Sequence, residues 1–215
     1  FRPFNLLLMY SIKEIYKTIQ GEGAQSGRTA VFVRFTGCNL WSGKEKHRAD
    51  AICNFCDTDF VGTDGENGGR YSAEDLVKKI KYVWGSSDHG YIVFTGGEPM
   101  LQLDKELVEI CKKHNFETAI ETNGTIKIDF EIDWICVSPK AGSSLIVSKG
   151  NELKVVFPQE EIQLDHLQNL TFDHYFLQPL DSEKGEENTF KTIEYCKKNP
   201  RWKLSLQQHK LLGIP

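Results

Sequence analysis

Short apolar, β-branched runs recur along this chain, and polar segments bearing glycine or proline follow most of them at once. Val31-Phe32-Val33-Arg34-Phe35, Tyr91-Ile92-Val93-Phe94, Thr118-Ala119-Ile120 and Trp134-Ile135-Cys136-Val137 each read as a strand. Leu153-Lys154-Val155-Val156-Phe157 and Tyr175-Phe176-Leu177 continue the series. Amphipathic stretches lie between them. Ser72-Ala73-Glu74-Asp75 resembles a capping box, after which Leu76, Val77, Ile80, Val83 and Trp84 share one helical face up to Gly85. Asp104 is placed to cap a second helix through Leu107, Val108 and Cys111, ending near Asn115. A C-terminal helix carries Phe190, Ile193 and Cys196 and stops at Asn199-Pro200. Strands alternating with helices specify an α/β domain built on a mostly parallel sheet.

The punctuation after the strands is where ligands are expected. Thr36-Gly37-Cys38, Thr95 to Pro99, Glu121 to Gly124, Ser138-Pro139-Lys140 and Gln178 to Asp181 all follow strands directly. Parallel α/β folds build their sites from loops at the carboxyl ends of strands, so these segments predict an enzyme or ligand-binding mouth. The 215 residues suit one domain with a substantial core, and a 40% hydrophobic fraction excludes wholesale disorder. No repeat interrupts the chain, and the glycine-rich stretch 62–69 and the stretch 140–151 read as loops inside the domain. A net charge of -4 argues against a surface that coats nucleic acid. No apolar run approaches the ~18 residues of a membrane span. Residues 1–8 are too short a stretch for an export signal and read as leader sequence ahead of Met9, with 9–215 a single domain. The expected compartment is therefore a reducing cytoplasm.

Three of the six cysteines fall between Cys38 and Cys56. Cys38 directly follows a strand; fourteen residues later comes Cys53-Asn54-Phe55-Cys56. In a reducing compartment such a group binds metal or does redox chemistry. Three thiolates can hold three irons of a [4Fe–4S] cluster and leave the fourth open to a chelator. Zinc in a Cys₃His site with His47, or a dithiol pair, suits the same spacing. Spacing leaves all three open. The segment Gly96-Gly97-Glu98-Pro99 lets backbone approach a ligand closely and offers Glu98 to an ammonium group, although plain turns share these dipeptides. Cys111, Cys136 and Cys196 lie on apolar faces and read as core thiols.

A cysteine triad after one strand and Gly-Gly-Glu-Pro after the next resemble the radical S-adenosylmethionine superfamily. The usual triad is C-x₃-C-x₂-C, whereas this chain has fourteen residues in the first gap. That insert is similar to the large-insert form of the 7-carboxy-7-deazaguanine synthase family, as are Leu40–Lys44, Phe55–Phe60, Thr18–Gly23, Arg34–Leu40, Glu121–Gly124 and Ser138–Lys140. The likeness runs from about Tyr10 to Pro215.

The resemblance implies an incomplete (β/α)₆ barrel of the radical S-adenosylmethionine type, a homodimer, and three cofactors: a [4Fe–4S] cluster, S-adenosyl-L-methionine and Mg²⁺. It implies a carbon–nitrogen lyase that contracts 6-carboxy-5,6,7,8-tetrahydropterin to 7-carboxy-7-deazaguanine with loss of ammonia, a step toward queuosine and other tRNA deazapurines. A 5′-deoxyadenosyl radical would take hydrogen from C6 and be returned to the cofactor. By the same resemblance Cys38, Cys53 and Cys56 hold the cluster and Thr58 the magnesium. Phe55, Asp57, Gly96, Gly97, Glu98, Ser138, Pro139, Lys140, Gln178, Pro179, Leu180 and Asp181 match cofactor-binding segments. Ile19, Gln20, Gly21, Arg34, Thr95, Glu121, His209 and the terminal carboxylate of Pro215 match the pterin side. Arg34, out of phase with Val33 and Phe35, suits the substrate carboxylate. An electron donor such as a flavodoxin is implied, without direct contact to nucleic acid or membrane. Two other readings stand against this one. A glycyl-radical activating enzyme would want the shorter triad, and a zinc-stabilised binding module would contain zinc rather than iron.

Overall fold

The computed structural model describes residues 9–86 and 88–215. The expectation for residues 1–8 therefore lies outside the described residues. Nine strands form one sheet in the order β3-β1-β2-β4-β5-β6-β7-β8-β9. The strands are β1 Tyr10–Ile19, β2 Thr29–Phe35, β3 Gly69–Tyr71, β4 Gly90–Gly96, β5 Phe116–Thr122, β6 Trp134–Val137, β7 Lys149–Phe157, β8 Thr171–Pro179 and β9 Lys203–Leu204. From β2 through β4 to β9 every pairing is parallel, while β1 runs antiparallel to both β2 and β3. The six expected strands form the parallel centre, and the sheet stays open, with β3 and β9 at its two edges.

Helices α1 Ala73–Trp84, α2 Lys105–Lys113, α3 Leu164–Leu167, α4 Gly185–Lys198 and α5 Gln208–Leu212 complete the fold. The barrel is incomplete in its helices too. Neither the β5–β6 crossover nor the β6–β7 crossover contains one, and α3 is a single turn. The loop expected over 140–151 ends at Ser148, because β7 already begins at Lys149. Ser72 caps α1 by accepting from the Asp75 N–H, and Asp104 caps α2 by accepting from the Leu107 N–H at 3.0 Å. The Tyr10 hydroxyl also donates to Asp104, at 2.8 Å, which ties the start of β1 to α2. The C-terminal helix differs from expectation. Phe190 is 66% exposed, and α4 instead buries Asn188 and Thr192. The reason is polar: the Asn188 amide donates to the Leu180 carbonyl at 2.8 Å, turning that face inward. Cys196 is consequently half-buried, whereas Cys111 and Cys136 are buried as expected.

Alternation along the strands sorts side chains into two layers. Toward the helices, Val33, Phe35, Ile92, Phe94 and Ile120 pack with Leu76, Ile80 and Leu107. Leu153, Val155 and Leu177 build a second core with Trp202. The opposite face carries Ala30, Tyr91, Val93 and Ala119 near the bottom. Higher on that face come Arg34, Thr95, Glu121, Lys154 and Gln178, which line a cavity. The inner face thus turns polar toward the carboxyl ends of the strands.

Candidate active site

Strand ends, the cysteine insert and α5 enclose a cavity of about 460 Å³, within the range of small-molecule sites. Every residue expected at the site lines it except Glu98 and Pro139.

Cys38, Cys53 and Cys56 face this one cavity, and all three are free thiols. The insert between them folds back on itself. The Cys53 N–H donates to the Leu40 carbonyl at 3.3 Å, and the ring of Trp41 packs edge-on against Phe60. The Arg48 guanidinium lies 4.2 Å over Trp41 and donates to the carbonyls of Asn54 at 2.9 Å and Cys56 at 3.0 Å. The insert therefore returns the chain to the mouth despite its length. His47 is turned elsewhere: it bonds the Ser42 hydroxyl at 2.8 Å and does not line the cavity. Among the described residues no three His, Cys, Asp or Glu side chains converge as a single-ion centre would require. Three soft sulfur donors around one void, with no fourth, suit an iron–sulfur cluster that keeps one iron for another ligand. Within the pair, the Cys53 thiol hydrogen bond to Cys56 holds the Cys56 thiol below its usual range and pushes Cys53 up. Burial pushes Cys38 up.

The end of β4 is stitched directly to the Cys38 segment. Glu98 N–H donates to the Gly37 carbonyl at 2.9 Å, and Gly97 N–H to the Phe35 carbonyl at 3.3 Å. A Cβ on Gly97 would stand 2.1 Å from the Gly37 carbonyl oxygen, so only glycine fits. The Glu98 carboxylate corrects the sequence expectation. It is fully buried and accepts from Thr122 Oγ1 at 2.7 Å, Asn123 N–H at 2.7 Å and Met100 N–H at 2.9 Å. Fully enclosed and away from the cavity, it ties β4 to β5 rather than facing a ligand's ammonium group. Pro139 likewise sits outside the cavity, while its neighbours Ser138 and Lys140 line it. Lys140 Nζ donates to the Ser138 carbonyl at 2.6 Å and hydroxyl at 2.8 Å, and burial lowers its pKa. Asp57 and Asp181, from opposite rims, are both bound by Lys210 Nζ, at 2.6 and 2.5 Å.

The other half of the cavity is a hydrogen-bonded strip. Gln20 Nε2 donates to Glu121 Oε1 at 2.9 Å. Arg34 Nε donates to Glu14 at 2.7 Å and its Nη2 to the Tyr16 hydroxyl at 3.1 Å, which leaves further donors of its fork for a ligand. Helix α5 lies across the strip. Gln208 N–H donates to the Gly21 carbonyl at 3.0 Å, and a Cβ on Gly21 would meet His209 Nδ1 at 2.5 Å. The Thr18 hydroxyl donates to Pro215 O at 2.7 Å, which brings that residue to the cavity wall. Thr58 lines the opposite rim, between Asp57 and an Asp59 that pairs with Lys13 at 2.8 Å.

Sequence reasoning missed Glu14, Tyr16, Glu22, Trp41, Lys154, Gln207 and Lys210, all of which line the cavity. One signal was available: Lys154 is the sole charge in the apolar run Leu153–Phe157. Glu22 and Trp41 fall inside family-like segments that assigned them no role, and the others lie on segments without a readable motif.

Comparison with known proteins follows the same outline. Residues 47–147 match the Radical SAM superfamily, a span that begins inside the insert. The 7-carboxy-7-deazaguanine synthase of Burkholderia multivorans is 54% identical over 210 residues, covering 97% of this chain and all of that one. The synthase of Bordetella pertussis is 52% identical over the same length and coverage. The crystal structure of QueE from Escherichia coli is similar at a TM-score of 0.70 and 27% identity, over 92% of this chain and 93% of that chain.

Proposed function

The chain belongs to the 7-carboxy-7-deazaguanine synthase family of the radical S-adenosylmethionine superfamily, and from that premise we propose how its own residues carry the reaction. The enzyme makes 7-carboxy-7-deazaguanine; in the finer reading it is a lyase that contracts the ring of 6-carboxy-5,6,7,8-tetrahydropterin and expels ammonia. One observation carries this assignment: three free cysteines and the Gln20–Glu121–Arg34 strip line the same cavity.

When bound, the cluster and S-adenosylmethionine supply the radical that starts and ends the reaction. The chain binds, orients and shields. Cys38, Cys53 and Cys56 would hold the cluster, and the close approach of Gly96 to the Phe35 backbone and of Gly97 to Gly37 leaves backbone, rather than side chains, to face the cofactor's amino acid end. Ser138, Lys140 and the Gln178–Asp181 segment would wall the cofactor on its far side. Lys210, held by Asp57 and Asp181, draws both rims together. On the pterin side, Arg34 offers a guanidinium to the substrate carboxylate, while Gln20, Glu121 and His209 meet the ring edge. Thr58 would contribute a hydroxyl to Mg²⁺, an ion that retains waters and takes substrate oxygens, so one protein oxygen suffices. A homodimer, a flavodoxin-type electron donor and a cytoplasmic setting complete the reading, with no direct nucleic-acid ligand. Among the described residues no helix is long and apolar enough to cross a membrane.

Anaerobically reconstituted protein should hold about four irons and four sulfides per chain. It should turn over the pterin with S-adenosylmethionine recycled, faster with Mg²⁺ than without. Zinc in place of iron, and no product from the pterin, would overturn the assignment.

A further inference from the structure

Beneath the pterin side of the cavity lies a buried lysine that no motif accounts for. Lys154, on β7, is 4% exposed. Its Nζ lies 2.5 Å from Glu22 Oε2 and 3.4 Å from Glu121 Oε2. The remaining oxygens of these carboxylates are taken by amides: Gln20 holds Glu121 Oε1, and Gln207 holds Glu22 Oε1 at 3.1 Å. Glu22 belongs to the loop after β1 and Glu121 to β5, so one ammonium joins three parts of the fold. The other charged or titratable groups facing this trio are Glu152 on β7, Cys136 on β6, Lys140 after β6, His209 on α5, and Tyr16 and Tyr91 beside Glu121. Glu152 is occupied by the Ala24 N–H at 2.9 Å and the Cys136 thiol at 3.5 Å, so it is not a free counter-charge.

Burial alone would neutralise a lysine, yet Glu121 and Glu22 outweigh it and hold Lys154 charged. Burial alone would also protonate Glu22, and Lys154 reverses that. Glu22 and Glu121 are only partly buried, with side chains 13% and 24% exposed, and they share the one cation between them. The 2-amino-4-oxo edge of a pterin presents adjacent N–H donors, whose complement is an ionised carboxylate; a protonated acid would set its own O–H against them. We propose that Lys154 is a positioning residue for substrate binding: its ammonium, set between Glu22 and Glu121, holds the Glu121 carboxylate against Gln20 for the amino-pyrimidinone edge. This inference rests on Glu121 facing the pterin.

The test uses reconstituted holoenzyme and the carboxy-tetrahydropterin, with KM and kcat measured separately at neutral pH. Without the ammonium, Glu22 and Glu121 face each other with no cation between them, and their repulsion displaces Glu121 from Gln20. Lys154→Met should therefore raise KM roughly tenfold near pH 7 while kcat falls less than about threefold. Lys154→Arg should stay within about threefold of wild type, because charge is kept. Adding Glu22→Gln to Lys154→Met should recover most of the lost affinity, since the second negative charge is gone. Where Lys154→Met alone is too unstable to isolate, the double variant carries the test, and its KM should lie within about threefold of wild type. A Lys154→Met enzyme equal to wild type, or a double variant that folds without recovering affinity, would overturn the proposal. So would a double variant that does not fold, which would make Lys154 a structural cation. Wild-type enzyme without turnover of the pterin would instead sink the functional reading itself, and this inference with it.

Discussion

At Gly97 backbone meets backbone, with the Gly37 carbonyl oxygen 2.1 Å from where a Cβ would be. Nothing at that contact is a flexible side chain that could swing away, so Gly97→Ala must move the segment carrying Cys38. Iron bound per chain should fall and turnover should drop by at least about tenfold, at a stability cost on the order of 1–3 kcal/mol. Full iron content in that variant would show that the strand end yields more easily than the contact implies. Glu98 next to it had a readable identity but an unreadable role. Its type suggested an ammonium partner, whereas the fold surrounds it with the donors of Thr122, Asn123 and Met100. Glu98→Gln puts an NH₂ group among those donors and should cost about 1–3 kcal/mol in denaturant unfolding. An unchanged midpoint would mean that those bonds are dispensable.

Helices α1 and α2 show what local sequence can specify. Their caps, Ser72 and Asp104, bond the N–H groups of Asp75 and Leu107 as their spacing predicts. Ser72→Ala should cost about 1 kcal/mol with KM untouched, because α1 lies on the side of the sheet away from the cavity. Asp104→Ala should cost more, about 2 kcal/mol, since it also strands the buried Tyr10 hydroxyl. Equal losses in the two variants would mean that the Tyr10 bond contributes nothing. Strand β1 escaped sequence reading for a definable reason. A bulge between Ile12 and Glu14 shifts its phase, so its buried positions Ile12 and Ile15 do not alternate cleanly. Strands β3 and β9, at three and two residues, are too short to show any period. In α4 the apolar stripe misled, because Asn188 and Thr192 satisfy buried backbone that the helix sequence does not reveal.

At the scale of the whole molecule, acid undoes the charge pairing at the part-exposed Asp133 and at Glu22. Burial would raise the Asp133 carboxyl, but the Thr118 N–H at 2.8 Å, Lys112 at 2.9 Å and the Thr118 hydroxyl hold it below the usual range. Lys154 does the same for Glu22. A carboxyl with a depressed folded pKa stabilises above its unfolded value and loses that contribution as pH falls through the folded one. The melting temperature of the metal-free chain should therefore hold through neutrality and fall below about pH 4. Asp133→Asn should lower stability at neutral pH and flatten that acidic decline; an equally steep decline would show that Asp133 adds nothing to it.

The sequence alone determined the strand and helix periods of the parallel core, the helix caps and the presence of a cysteine triad at strand ends. These depend on near neighbours in the chain, where alternation, capping and turn chemistry act. Motif likeness, rather than spacing, separated a cluster from zinc. Only the tertiary structure decided which charges meet. Lys154 reaches Glu22 across 132 residues and Lys210 reaches Asp57 across 153. Strand register sets such pairings: β2, β4 and β5 end level, and each inward side chain takes the partner that the neighbouring strand delivers. Burial then fixes the charge state of each partner, because a charge removed from water persists only beside an opposite charge or hydrogen-bond donors.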